Sequence, residues 1–227
     1  MLTHEGCREI QYPETTGAAM MLEVLLAFDP LTIATFMGAS VLLYLTPGID
    51  MLFTLASGAA GGRKVGLAAG IGVSLGSLFH TLVAVLGVAA LIRSSALAYD
   101  LLRYVGAAYL LWLAIAAWRA PPVALQGGGR RHMRSAFVKG ALGNMLNPKV
   151  SIFILAFVPQ FTDPAIGPVW IQMAILGGLF SIGSIPFMVG FGLFAGVFSE
   201  NISRGGRVMN RVSALIFGGL AARLVLD

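Results

Sequence analysis

Six apolar runs leave this chain few ways to fold. They lie near residues 30–57, 65–92, 101–118, 136–161, 169–198 and 208–226. Each is close to, or longer than, the roughly 20 residues a helix needs to cross ~30 Å of hydrocarbon. A water-soluble domain could not bury them, because most residues of a chain this size still face solvent. Composition agrees: 57% of the 227 residues are hydrophobic and 11% are charged, where soluble domains carry about 25% charge. An ordinary soluble enzyme, a disordered chain and a nucleic-acid-binding domain are excluded. A β-barrel is disfavoured, since barrel strands alternate apolar and polar residues over ~10 positions and these runs are continuous. The expected class is an all-α integral membrane protein of six transmembrane helices, with the lipid bilayer and no nucleic acid as partner.

Ahead of the first run, residues 1–19 read MLTHEGCREIQYPETTGAA. They show neither apolar periodicity nor the basic and apolar regions of a signal peptide. Met20 and Met21 stand directly before the apolar sequence, so residues 1–20 are expected to be a disordered extension, or to lie upstream of the true start. The single cysteine, Cys7, excludes an intrachain disulfide framework and a thiolate metal cluster. Between the third and fourth runs, RAPPVALQGGGRRHM carries a Pro pair and a Gly triplet, which predicts a polar loop over 119–135. The chain then divides into halves at 21–118 and 136–227, three helices each.

Basic residues set the orientation. Arg63, Lys64, Arg119, Arg130, Arg131, Arg134, Lys139, Arg204, Arg207 and Arg211 fall on one side, against Arg8, Arg93, Arg103 and Arg223 on the other. The positive-inside rule makes the richer side cytoplasmic. Both termini are then expected to be periplasmic in a bacterial inner membrane.

An odd number of helices per half forces two homologous halves into opposite orientations, the inverted repeat of many secondary transporters. Three features predict such a repeat. Helix 1 is interrupted by Thr46-Pro47-Gly48 and helix 4 by Asn147-Pro148-Lys149. Val105, Ala107, Leu113 and Ala114 in helix 3 match Val212, Ala214, Leu220 and Ala221 in helix 6 at equal spacing. Proline removes a backbone hydrogen bond, and in hydrocarbon such a break is tolerated where it faces protein or a wet cavity. Paired breaks therefore point to a midplane binding site; a kink that only shapes packing is the alternative, and is the expected role of Pro186.

Charges deep in the membrane are costly and default to function. Asp50 follows Gly48 by two residues, and Lys149 follows Pro148 directly. They are expected to form an ion pair, or to share a zwitterionic substrate, with Asp50 as proton carrier. Asn144 and Asn147 flank the second break, where an amide can cap freed carbonyls or bind substrate. His80, inside helix 2, is expected either to relay protons or to serve as a hydrogen-bonded packing histidine. Gln160 and Asp163, at the outer end of helix 4, have an interfacial structural role.

Gly72-Val73-Ser74-Leu75-Gly76 has the pattern of a hydrolase nucleophile elbow, which needs a strand–turn–helix setting. Here it lies in an apolar helix, with His80 about 240° around from Ser74 at 3.6 residues per turn. Instead, Gly66, Gly70, Gly72 and Gly76, like Gly177, Gly183, Gly192 and Gly196, make small-residue faces for close helix contact. No P-loop, HExxH or EF-hand pattern occurs, and no cofactor or metal site is expected.

The run YLTPGIDMLFTLASGAAGGRKVGLAAGIGVSLGSLFHT, from Tyr44, resembles the N-terminal signature of the LysE/RhtB family of amino-acid exporters. GNMLNPKVSIFILAFVPQFTDP, from Gly143, resembles its second signature, and the run from Met209 its last helix. Ile49 stands where the family often has a second proline. The resemblance implies a six-helix inner-membrane carrier of two inverted halves that exports amino acids, by exchange with protons, and is not an enzyme. It also implies a homodimer or other small oligomer. Carried over residue by residue, the motifs fall on Pro47, Gly48 and Asp50 and on Asn147, Pro148 and Lys149, with Thr46 and Asn144 beside them. With no second acidic residue evident in the helices, neutral substrates such as threonine, homoserine or leucine are favoured. The alternatives are export of another small solute or a metal cation, and a non-transporting membrane enzyme or assembly factor.

Overall fold

The computed structural model describes residues 17–88, 96–119, 132–195 and most positions from 208 to 226. The polar loop expected over 119–135 lies mostly outside them, as do Cys7, Arg8, Arg93, Arg130, Arg131, Gly196, Arg204, Arg207 and Arg223. Every described element is helical. In chain order they are α1 (Gly17–Ala27), α2 (Pro30–Leu45), α3 (Ile49–Gly61), α4 (Arg63–Val83) and α5 (Ala96–Arg119). Then come α6 (Met133–Met145), α7 (Pro148–Ile152) and α8 (Val169–Leu193). A wide π turn, Ala84–Val88, prolongs α4. A π turn and a 3₁₀ turn carry α7 on to Phe161. The described positions between 208 and 226 are also helical.

The expected runs map onto these elements. The first is α2 plus α3, interrupted at 46–48, and the fourth is α6 plus α7, bent by 48° at its break. The second and fifth contain uninterrupted helical stretches of 25 residues. Residues 17–20 depart from the expectation of a disordered extension. They form the first turn of α1, which packs on α8 and brings Val24 against Gly167. The helix is held by that apolar contact, which composition near its start did not reveal. Residues 1–16 lie outside the described ones. α1 meets α2 at 92°, and Asp29 caps the corner by accepting from Leu31 N–H at 3.2 Å.

α4 is the centre of the packing, with α6 on one side and α8 and α3 on others. Glycine makes the approach close. A Cβ on Gly72 would collide with the Phe137 carbonyl, and one on Gly76 would lie 2.5 Å from that of Ala141. Gly66 and Gly192 face each other so tightly that a Cβ on either would strike the other's backbone. These are the small-residue faces read from the sequence. The contacts also give directions. Gly72 meets Phe137 and Gly76 meets Ala141, so α4 and α6 run parallel. Gly66 meets Gly192 and Gly70 meets Met188, so α8 runs antiparallel to α4.

The helix matches noted in sequence share their environments. Ala107, Ala114, Ala214 and Ala221 are all buried, while Val105 and Val212 are both exposed. At the end of α5, Trp118 receives the Arg211 guanidinium 5.6 Å from its ring centroid, a cation–π contact. It puts Arg119 and Arg211 at one end of the molecule.

Overpacking a tight helix contact costs about 1–3 kcal/mol. We therefore expect Gly72→Val to lower the melting temperature of the detergent-purified protein clearly. Gly38→Ala should leave it unchanged or raise it, since nothing lies within 4 Å of a Cβ there. A thermal unfolding comparison of the two checks this; equal melting points would reject glycine packing as the determinant.

Candidate functional site

Proline cannot donate to the carbonyl four residues before it. Pro47 therefore frees the Leu43 carbonyl, and Pro148 frees that of Asn144. In both breaks the residue before the proline folds back by one turn. Thr46 N–H donates to Leu43 O at 3.3 Å, and Asn147 N–H to Asn144 O at 2.8 Å. In both, a basic side chain from the other half of the chain adds a second bond. Lys149 Nζ donates to Leu43 O at 3.2 Å and to Thr46 O at 3.0 Å. His80 Nε2 lies 2.8 Å from Asn144 O. A carbonyl only accepts, so Nε2 carries the proton there.

The other polar groups complete the network. Asn144 Nδ2 and Asn147 Nδ2 both donate to Asp50 Oδ2 at 2.8 Å. Asn147 Oδ1 caps α7 by accepting from Lys149 N–H at 3.0 Å. Asp50 sits in the first turn of α3, where the helix dipole favours a carboxylate. Thr46 turns its own hydroxyl back to Leu42 O at 2.7 Å. Gly48 leaves room for the lysine, since a Cβ there would lie 3.0 Å from Lys149 Nζ.

The structure thus brings Thr46, Pro47, Gly48, Asp50, Asn144, Asn147, Pro148 and Lys149 together, with His80 directly behind Asn144. It corrects one expectation: Asp50 and Lys149 do not form a direct ion pair. The ammonium is taken by carbonyls that the Pro47 break leaves open, and Asp50 Oδ2 is taken by two amides. Both charges instead line one cavity of about 20 Å³, shared with Leu43, Tyr44, Val73, Ser77, Asn144, Val150, Phe180 and Ser184. That is room for about one water, which needs roughly 10–15 Å³. Asn144, which lines that cavity, has its Oδ1 buried without a hydrogen-bond partner.

Sequence reasoning missed several participants. Ser151 Oγ lies between His80 Nδ1, at 3.2 Å, and the Asn147 carbonyl oxygen, at 3.0 Å. It stands three residues after Pro148, as Asp50 does after Pro47, and that register was the available signal. Tyr44 OH donates to Phe180 O at 2.6 Å, and Ser77 Oγ to Ser181 Oγ at 2.7 Å. Buried Gln172 holds the loop before α8 through Asp163 O at 2.7 Å and Gly167 O at 2.8 Å. Asp163 Oδ1 accepts from Ala165 N–H in the same loop, a local structural role of the kind expected. Ser74 lies inside continuous α4 and its hydroxyl has no partner, while His80 is engaged elsewhere, so the glycine–serine pattern forms no nucleophile elbow. Among the described residues no group of three or more His, Cys, Asp or Glu gathers.

Comparison with known proteins places this geometry. Residues 29–227 match the family described as LysE type translocator. The chain is 31% identical to a leucine efflux protein of Klebsiella pneumoniae over 205 residues, 87% of this chain and 96% of that one. It is 32% identical to a homoserine/homoserine lactone efflux protein of Salmonella typhimurium over 163 residues, 69% of this chain and 76% of that one. An uncharacterized membrane protein of Vibrio cholerae is 36% identical over 140 residues, 61% of this chain and 68% of that protein. No solved structure matches significantly.

One intramolecular hydrogen bond contributes about 0.5–1.5 kcal/mol, and without His80 the Asn144 carbonyl keeps only the Asn147 N–H. We expect His80→Phe to destabilise the purified protein by that order and His80→Gln, which keeps an amide donor, to recover part of it. Chemical denaturation of both variants tests this. Equal losses would show that ring volume, not the bond to Asn144 O, is what the position requires.

Proposed function

The chain belongs to the LysE type translocator family, and from that membership we propose that it exports neutral amino acids or close derivatives from the cytoplasm. It is a multi-pass membrane transporter and not an enzyme. The observation that carries the substrate reading is one carboxylate and one lysine ammonium at a single cavity between two helix breaks. A zwitterionic amino acid presents the complementary pair of charges. Asp50 and the open acceptors around it suit the substrate ammonium; Lys149 suits its carboxylate. The efflux proteins for leucine and for homoserine among the relatives support neutral cargo.

In this reading six spans form two inverted halves, 21–118 and 136–227, joined by a cytoplasmic loop over 119–135. Both termini are periplasmic, in a bacterial inner membrane. The corresponding proline breaks support it, as do the parallel course of α4 and α6 and the antiparallel course of α8. The cavity is too small for an amino acid, so transport requires the halves to move apart on one side and then the other. Coupling is to protons through Asp50. His80 supports the break through Asn144 O, and its Nδ1, 3.2 Å from Ser151 Oγ, is the second proton-coupling group of this reading.

Efflux of labelled amino acids from loaded vesicles tests this. We expect neutral amino acids to leave faster than basic or acidic ones, with export suppressed by a proton uncoupler. Removing a buried charge partner costs about 2 kcal/mol or more, so Asp50→Asn should slow net export at least about tenfold. Export of no amino acid above the Asp50→Asn background would defeat the proposal. Reporter fusions at both ends should be active only outside the cytoplasm; activity inside would overturn the orientation.

A further inference from the structure

The lysine at the second break is not paired as a binding-site cation would be. Its ammonium rests on the carbonyls of Leu43 and Thr46, at 3.2 and 3.0 Å. Those are the acceptors that a broken helix offers to a cation, and in hydrocarbon they cannot be left bare. Gly48 clears the space around the ammonium, and the cavity beside it holds about 20 Å³. Asp50 Oδ2 accepts from two amides, and Lys149 can leave the carbonyls without breaking an ion pair. Asn144, in the same lining, carries an unpartnered acceptor in its Oδ1. The polar wall is therefore rich in acceptors for an ammonium, and Lys149 is the cation that now uses them.

We propose that Lys149 is an internal substitute for the substrate's ammonium group. It holds the Leu43 and Thr46 carbonyls while the carrier is empty and yields them when an amino acid binds. The displaced lysine ammonium then turns to the substrate's carboxylate, so that no charge is left alone at any stage. This inference rests on the exporter function proposed above.

The consequence is kinetic. An exporter must return without cargo, and it then needs a cation on the broken helix 1. Exchange of one amino acid for another never requires the empty carrier to return across the membrane, so it depends on the substitution less than net export does.

The test measures both modes in vesicles: net efflux into substrate-free buffer, and exchange with the same amino acid on both sides. Lys149→Met should lower the ratio of net efflux to exchange at least about tenfold, the least expected where carbonyls at membrane depth lose their donor. Lys149→Arg, whose guanidinium can still donate to both carbonyls, should keep the ratio within about threefold of the parent. Size-exclusion profiles in detergent report folding. Any other pattern overturns the proposal: an equal fall of both modes in Lys149→Met, including complete loss, makes the lysine a substrate ligand or a structural support only. Failure of the parent protein to exchange any amino acid would instead defeat the export function itself.

Discussion

Two carbonyls made homeless by proline are what the centre of this protein is organised around. An α-helix in hydrocarbon has no water to satisfy a broken backbone bond, so each break must be closed by protein. Here each half closes its own break only in part, through Thr46 N–H and Asn147 N–H, and the other half supplies a second donor. Lys149, from the second half, holds the carbonyls at the Pro47 break, and His80, from the first half, holds the carbonyl at the Pro148 break. Asp50 then ties the first half to the Asn144 and Asn147 amides of the second. Moving the halves apart exposes both breaks at once, which makes the closed arrangement cooperative rather than a sum of separate contacts.

Such a network works only if the helices come close enough for short polar side chains to reach across. That is the part the glycines of α4 play. Gly72 and Gly76 admit the backbone of α6, which places Asn144 within reach of both His80 and Asp50; Gly66 and Gly70 admit α8. A helix pair held apart by leucines would set the same polar residues beyond hydrogen-bond range. Close packing is thus a condition of the site as well as a source of stability.

The main outlines were legible in the sequence because they rest on rules that act locally. Apolar length marked the helices, proline marked the breaks, and a charge beside each break marked Asp50 and Lys149. The glycine spacing of α4 read directly as a contact face. What could not be read was who meets whom. The sequence suggests that Asp50 and Lys149 attract each other; only three-dimensional placement reveals that carbonyls and amides compete for both. Gln172 was invisible for the same reason, since a glutamine in an apolar run has no distinctive neighbours in sequence. The first turn of α1 was missed because tertiary contact with α8, and not local periodicity, holds it.

The scarcity of charge has a further consequence for selectivity. The cavity holds one carboxylate and one ammonium, with no other acidic or basic side chain in its lining. A zwitterion brings one charge of each sign, so entry leaves the sum unchanged and every charge with a partner. A lysine-like or glutamate-like substrate would bring an extra charge with no counterpart, and an unpaired charge out of water costs several kcal/mol. On the proposed export of neutral amino acids, discrimination against charged side chains would require no dedicated residue. It follows from the same economy of charge that lets the helices lie in a membrane, and it fails only where the side chain can stay in water while the backbone groups occupy the breaks.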